Sequence, residues 1–230
     1  MYSITDAGET NVLGKTLIEK TAERMKELCD GDPKPASSRE FADELLLVLR
    51  AVTGLPDLTP IRVFTDWLNL SMQTAMLIGS TKRELYVATR YMDFRTAEIA
   101  ANAAKQGHKV NILHRAGNEG NTAKLQLLGN LMSNPRALGA YEEFARNSDI
   151  QMREGEVPFS FVVVDRHSVG IEVINPSQPQ TFFLAFYFEN AALAEKLVKL
   201  YEEIFRNSKE DELLENLREM KKMKSVSPGR

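Results

Sequence analysis

The sequence predicts an α/β protein: a mixed β-sheet flanked by helices on both faces, preceded by a helical extension. Two stretches carry that reading. Residues 159–188 hold three strand-like runs in succession, and residues 84–113 hold strand, helix and strand at the spacing of a parallel βαβ unit. In the first stretch, residues 159–164 are aromatic and β-branched. Asp165, Arg166, His167 and Ser168 make a polar turn, and residues 169–174 return with alternating apolar side chains. A Pro-containing loop over 175–180 leads to residues 181–188, apolar almost throughout. Runs of that kind mark strands buried on both faces, so helices must cover the sheet. The rest of the chain supplies those helices.

Residues 11–28 show helical spacing, with Val12, Leu13, Leu17, Ile18, Ala22, Met25 and Leu28 on one stripe. The stretch CDGDPKP at 29–35 stops that helix as a short stiff linker. Ser37 or Ser38 caps a second helix, which runs to about Thr53 and ends at Gly54. A third is predicted over 60–78, carrying the single tryptophan, Trp67, with Met72, Met76 and Leu77 read as core. At Glu84 the period changes to a strand over 85–89. An alanine-rich helix over 95–106 follows, capped by Gly107, and then a strand over 109–113. The crossover between these strands should be right-handed.

A loop over 116–121 leads into helical material at 122–132. Asn134 and Pro135 break it, and a further segment runs to about Asn147. Residues 150–152 read as a small strand. Asn190 is placed to cap a long amphipathic helix to Phe205, and Ser208 to open a last one, with Asp211 completing a capping-box pattern. The sum is a sheet of five to seven strands, with Val87 and Ile112 in parallel neighbours. The expected division is an N-terminal helical region over 1–60, an α/β domain over 61–207, and a C-terminal helix and tail over 208–230.

Composition narrows the function. The chain has 29 basic and 32 acidic residues and a net charge of −3, so no overall basic field favours nucleic acid. No helix-turn-helix pattern with a basic recognition helix is evident either. Cys29 is the single cysteine, which excludes an intrachain disulfide and a multi-cysteine metal site and suits a reducing compartment. Three scattered histidines give no metal-ligand spacing. No metal or cofactor is expected. The start, MYSITDAGETN, has neither the basic nor the apolar part of a signal peptide. No apolar run approaches the ~20 residues that cross a bilayer. The reading is cytoplasmic.

From Phe64 to Arg206 the order of elements resembles one half of the phospholipase D superfamily. An amphipathic helix enters a strand (KRELYVATRYMD), and a helix leads through a Gly turn to another (AAKQGHKVNILH). A strand pair is centred on an aspartate (PFSFVVVDRHSVGIEV), and an apolar strand precedes a closing helix (FENAALAEKLVKLYEEIFRN). The closing part is similar to PLD-like domains of archaeal sensor and regulator proteins. The family's catalytic signature is H-x-K-x(4)-D, in which histidine attacks phosphorus and lysine supports charge on the phosphate oxygens. With its aspartate on Asp165, Pro158 stands at the histidine position and Ser160 at the lysine position. None of His108, His114 or His167 is followed two residues later by lysine. The phosphodiesterase apparatus is absent.

The resemblance implies a degenerate, non-catalytic module with sensory or regulatory use, and a homodimer, because single-half relatives pair across a two-fold. A small polar or anionic ligand, or a protein partner, is expected beyond the carboxyl ends of the parallel strands, where open α/β sheets place ligands. The candidate ligand-binding residues are Arg90, Asp93, His114, Arg115, Ser160 and Asp165; no residue is assigned a catalytic role. For Asp165 the structural alternative is that its carboxylate only caps its own turn. Two rivals stay open: a hydrolase with an altered site using Ser160, His114 or Asp165, and a scaffold with no small ligand.

Overall fold

The computed structural model describes residues 47, 50, 60–90, 94–115, 135–174, 182–211 and 214. In chain order the strands and helices with described bounds are β1 (Ile61–Phe64), α1 (Trp67–Gly79), β2 (Glu84–Thr89), α2 (Phe94–Lys105), β3 (Lys109–Arg115), α3 (Pro135–Arg146), β4 (Ile150–Gly155), β5 (Phe161–Val164), β6 (Ser168–Ile174), β7 (Phe182–Glu189), α4 (Ala191–Arg206) and β8 (Lys209–Glu210). They form one sheet ordered β1-β7-β6-β5-β2-β3-β4-β8. β2, β3 and β4 run parallel, with Val87 opposite Ile112. The other neighbours are antiparallel. This is the mixed sheet that the βαβ period and the apolar hairpin require.

Its eight strands exceed the five to seven expected. Both additions are edge strands. Residues 61–64, assigned from the sequence to the start of a helix, pair instead with β7, Ile61 opposite Phe188 and Phe64 opposite Ala185. Ile61 and Val63 are β-branched and suit a pleated edge. The helix begins later because Asp66 caps it: its backbone is extended and its carboxylate accepts from the Asn69 N–H at 2.9 Å. β8 is two residues long, too short to leave a pattern. Just beyond it, Asp211 accepts from the Leu214 N–H at 2.7 Å, while the Ser208 hydroxyl bonds back to the Phe205 carbonyl at the end of α4; the last helix expected from the sequence lies almost wholly outside the described residues. Leu214 is fully buried among α2, α3 and the sheet, which ties this segment to the same core.

Helices cover both faces. On one side α4 packs Leu193, Leu197, Val198 and Tyr201 onto Phe161, Val163, Ile171 and Phe186. On the other, α1, α2 and α3 cover Leu85, Val87, Val110, Ile112, Val162 and Val164, with five buried alanines letting α2 lie close. The Asn190 cap forms as expected, its side chain accepting from the Leu193 N–H at 2.7 Å. α1 departs from expectation. Met72 and Met76, read as core, are 51% and 65% exposed, and with Leu68 they form an outward stripe, while Ser71 and Ile78 are buried. Leu77 is partly buried against the core.

One buried polar atom gives a direct test of the α4 packing. The Tyr201 hydroxyl is buried with no hydrogen-bond partner among the described residues, beside the Tyr86 ring. Burial pushes its pKa up, so it stays neutral. Removing an unsatisfied hydroxyl removes a desolvation cost, so Tyr201→Phe should leave stability unchanged or raise it by up to about 1 kcal/mol. A loss above ~1 kcal/mol in urea unfolding would mean the hydroxyl is bonded.

Candidate functional site

Ser160 sits at the carboxyl edge of the parallel strands. β5 runs antiparallel to β2, so its first residues lie beside the last residues of β2, Phe161 opposite Ala88. The Ser160 hydroxyl accepts from the Arg90 N–H at 3.1 Å, and its carbonyl accepts from the Glu172 N–H at 2.9 Å. These two bonds bring the end of β2, the start of β5 and the middle of β6 to one point. Side chains alternate across a strand, so Gly170 and Glu172 of β6 face α1 while Val169 and Ile171 face α4.

A cavity of about 90 Å³ lies there under α1. Trp67, Leu70, Ser71 and Thr74 of α1 and Thr96 of α2 form its roof. Val87, Thr89, Ser160, Val162, Gly170, Glu172, Ala185 and Tyr187 are among the sheet residues that form its floor. Glycine at 170 makes room on the floor for the Tyr187 ring, which any Cβ there would meet. Tyr187 lies across Gly170 and hydrogen-bonds Thr74 on α1, which fixes the ring. Burial pushes the Tyr187 hydroxyl up to about 12, so it is protonated at neutral pH. Glu172 is 6% exposed.

The candidate residues divide. Arg90 and Ser160 meet at this edge, as the bond between them shows. His114 ends β3 opposite Thr89, but its Nε2 lies 2.6 Å from the buried Asp211 carboxylate, which it holds over the sheet. Arg115 follows it and is exposed. Asp93 lies outside the described residues. Asp165 is at the other end of β5 from Ser160, five residues of extended chain or about 16 Å away at the usual strand rise. The six therefore do not share one site.

Asp165 does not cap its own turn either. Its carboxylate accepts from the N–H groups of Lys82 at 3.0 Å, Arg83 at 2.8 Å and Glu84 at 3.1 Å, fixing the entry to β2. Desolvation alone would raise its pKa, but the hydrogen bonds from the Glu84, Arg83 and Lys82 amides outweigh it and hold the carboxyl below its ordinary value. Asp165 and Arg166 both take positive φ, 53° and 55°, as the central residues of the turn that the His167 N–H closes onto the Val164 carbonyl between β5 and β6. Arg166 is anchored there by Glu84 at 2.6 Å and Glu195 at 2.9 Å. This end of the sheet is structural.

Sequence reasoning missed Glu172, Gly170, Thr74 and Tyr187. One signal was available. Glu172 interrupts an otherwise apolar strand, VGIEVI, and a carboxylate in such a strand marks a local rule broken for a reason.

No protein-family model matches the chain, and no curated protein matches it. Solved structures do. TrmBL2, described as an archaeal chromatin protein with a novel mode of DNA binding, is 16% identical at a TM-score of 0.50, over 88% of this chain and 70% of that one. Nuc from Salmonella typhimurium, a phospholipase D family member, is 17% identical at a TM-score of 0.49, over 66% of this chain and 97% of that one. NucT from Helicobacter pylori is 12% identical at 0.48, over 66% and 99%. Identities this low speak of fold alone. From α1 to α4 the chain is an α/β fold with a mixed sheet and helices on both faces, the class its sequence predicts.

Proposed function

We propose that this domain is a regulatory ligand-binding module that holds a small polar ligand at the carboxyl edge of its sheet without transforming it. The observation that carries the reading is the cavity beside Ser160, a mostly apolar space into which the hydroxyl-bearing residues Ser71, Thr74, Thr89, Thr96, Ser160 and Tyr187 are set. Covalent phosphoryl transfer needs a nucleophile and a cation on the phosphate oxygens. Pro158, at the position the resemblance gives to the nucleophile, has neither a lone pair to attack with nor a proton to move. Ser160 is uncharged, and its oxygen is engaged by the Arg90 amide. Binding survives such losses where catalysis does not.

The test is turnover. The protein is incubated with a chromogenic phosphodiester and with single-stranded DNA, beside Ser160→Ala. We expect no turnover above buffer; turnover abolished in Ser160→Ala would establish the hydrolase reading instead. Adding duplex DNA in a binding assay tests nucleic-acid affinity, which a net charge of −3 disfavours. The resemblance also implies a two-fold pair, so light scattering at micromolar concentration should give twice the 25.9 kDa chain mass. A second reading, docking of a protein, is favoured by the exposed Leu68, Met72 and Met76 stripe on α1.

A further inference from the structure

The outward face of α1 is apolar where a solvated helix is ordinarily charged. We propose that this face is a self-association surface, on which α1 packs antiparallel against α1 of a second copy of the chain across a two-fold axis at Met72; this deepens the protein-docking reading of the stripe and rests on it. The helix, WLNLSMQTAMLIG, holds no Asp, Glu, Lys, Arg or His. A surface helix usually sets charged side chains opposite its buried stripe. Here the outward positions are Leu68, Met72 and Met76, which are 61%, 51% and 65% exposed. Single exposed apolar residues are ordinary, but an unbroken row of three on an uncharged helix marks a surface that another molecule covers.

The row selects a second copy because it is its own complement. Its members stand four residues apart with Met72 at the centre. Residues four apart form one ridge of a helix, and such ridges interlock when two helices cross at about −50° with axes about 8–10 Å apart. A two-fold axis at Met72 then sets Leu68 of each copy against Met76 of the other, the mutual contact that a symmetric interface requires. At such an axis each side chain meets its own twin, so a charge there would repel itself. α1 brings none. Methionine is unbranched and adaptable, which suits a side chain that packs against an identical one.

Charges flank the helix, and they favour the antiparallel arrangement. Asp66 at its start is exposed, and hydrogen bonds from the Asn69 N–H and side-chain amide hold its carboxyl below the ordinary value, so it is ionised at neutral pH. The far end is followed by the exposed Lys82 and Arg83, and exposed Arg62 lies beside it on β1. The acids near that end are occupied. Glu189 lies 3.5 Å from His167, and Asp165 accepts from the amides of residues 82–84. With Leu68 opposite Met76, Asp66 of each copy reaches the basic end of the other, and the two-fold makes this attraction twice. A parallel pair would set Asp66 beside Asp66. Met76 and Leu77 also line a groove of about 440 Å³ between α1 and β1, and Leu68 of the second copy arrives at its mouth.

The experiment uses the full 230-residue chain. Sedimentation equilibrium should show a reversible dimer, and Met72→Glu should raise its Kd about tenfold or more, because two carboxylates then meet at the axis. Asn102→Glu, at an exposed position on α2, should leave the Kd unchanged. Lys82→Glu should weaken pairing severalfold at low salt, the difference fading as salt rises. With Cys29 replaced by serine, Met72→Cys should form a disulfide between copies on mild oxidation, since facing Cα atoms of helices packed this closely lie within disulfide range. That measurement decides the question even where Met72→Glu does not fold. A dimer that persists in folded Met72→Glu, or no disulfide through Met72→Cys, overturns this face and leaves the pair implied by the resemblance standing. A monomer whose stripe binds a different protein overturns the proposal and keeps the docking reading. A monomer that binds nothing through the stripe refutes both.

Discussion

Gly170→Ala should destabilise the protein by about 3 kcal/mol, the largest effect we expect from a single methyl group here. Gly170 is buried in β6 between Val162 of β5 and Tyr187 of β7. A Cβ at this position overlaps the Tyr187 ring and comes 2.7 Å from Val162 Cγ1. The clash is steric: Gly170 is not among the glycines with positive φ. Tyr187 cannot swing aside cheaply, because it packs on Phe64 at 5.1 Å and hydrogen-bonds Thr74 of α1. Relief therefore requires moving the helix that roofs the cavity. Urea unfolding should show a lower midpoint, and the melting temperature should fall by roughly 6–12 °C. Adding Tyr187→Leu should recover part of the loss, since a flexible chain can yield to the new methyl. A loss below 1 kcal/mol would mean that the ring does not lie where the structure puts it.

Asp165→Ala should cost about 2 kcal/mol and alter the acid limb of stability. The carboxylate is the shared acceptor for three consecutive N–H groups at Lys82, Arg83 and Glu84, and hydrogen bonds to a charged group are the stronger ones. Its folded pKa lies below its unfolded value near 3.8. Between those values the unfolded chain binds more protons, so stability falls as pH falls. The contribution is complete above about pH 4 and is lost as pH drops through the folded pKa. Glu84 is shifted the same way: burial raises its pKa, but the Tyr86 hydroxyl and Arg166 outweigh that. Some acid sensitivity therefore remains without Asp165. Chemical unfolding at pH 7, 4 and 3 should show Asp165→Ala losing less than the unsubstituted protein on acidification. Parallel losses would mean the carboxylate is not held by those amides.

What the sequence determined by itself is local. Alternation and β-branching in residues 159–174, the switch of period at Glu84, and Asn190 before an apolar stripe are written within a few residues of where they act. The structure has β5, β6, β2 and α4 at those places. Parallel pairing of β2 and β3 follows from the same short range, because one crossover helix of the right length joins them.

Tertiary structure decided whatever depends on partners distant in the chain. Ile61–Phe64 reads as the start of a helix until β7, more than a hundred residues later, supplies its hydrogen bonds. Met72 and Met76 look like core because they are apolar, yet which face of α1 meets the sheet is set by Ile78 and Tyr187. Asp165 looks like a turn cap until residues 82–84 arrive with three amides. His114 looks like a ligand-edge residue until Asp211 reaches it from the far edge of the sheet. Glu172 could be flagged from the sequence as a charge in the wrong strand. Only the fold brings it to the cavity, because the pairing of β6 with β7 sets Glu172 opposite Ala185 on the face that α1 covers.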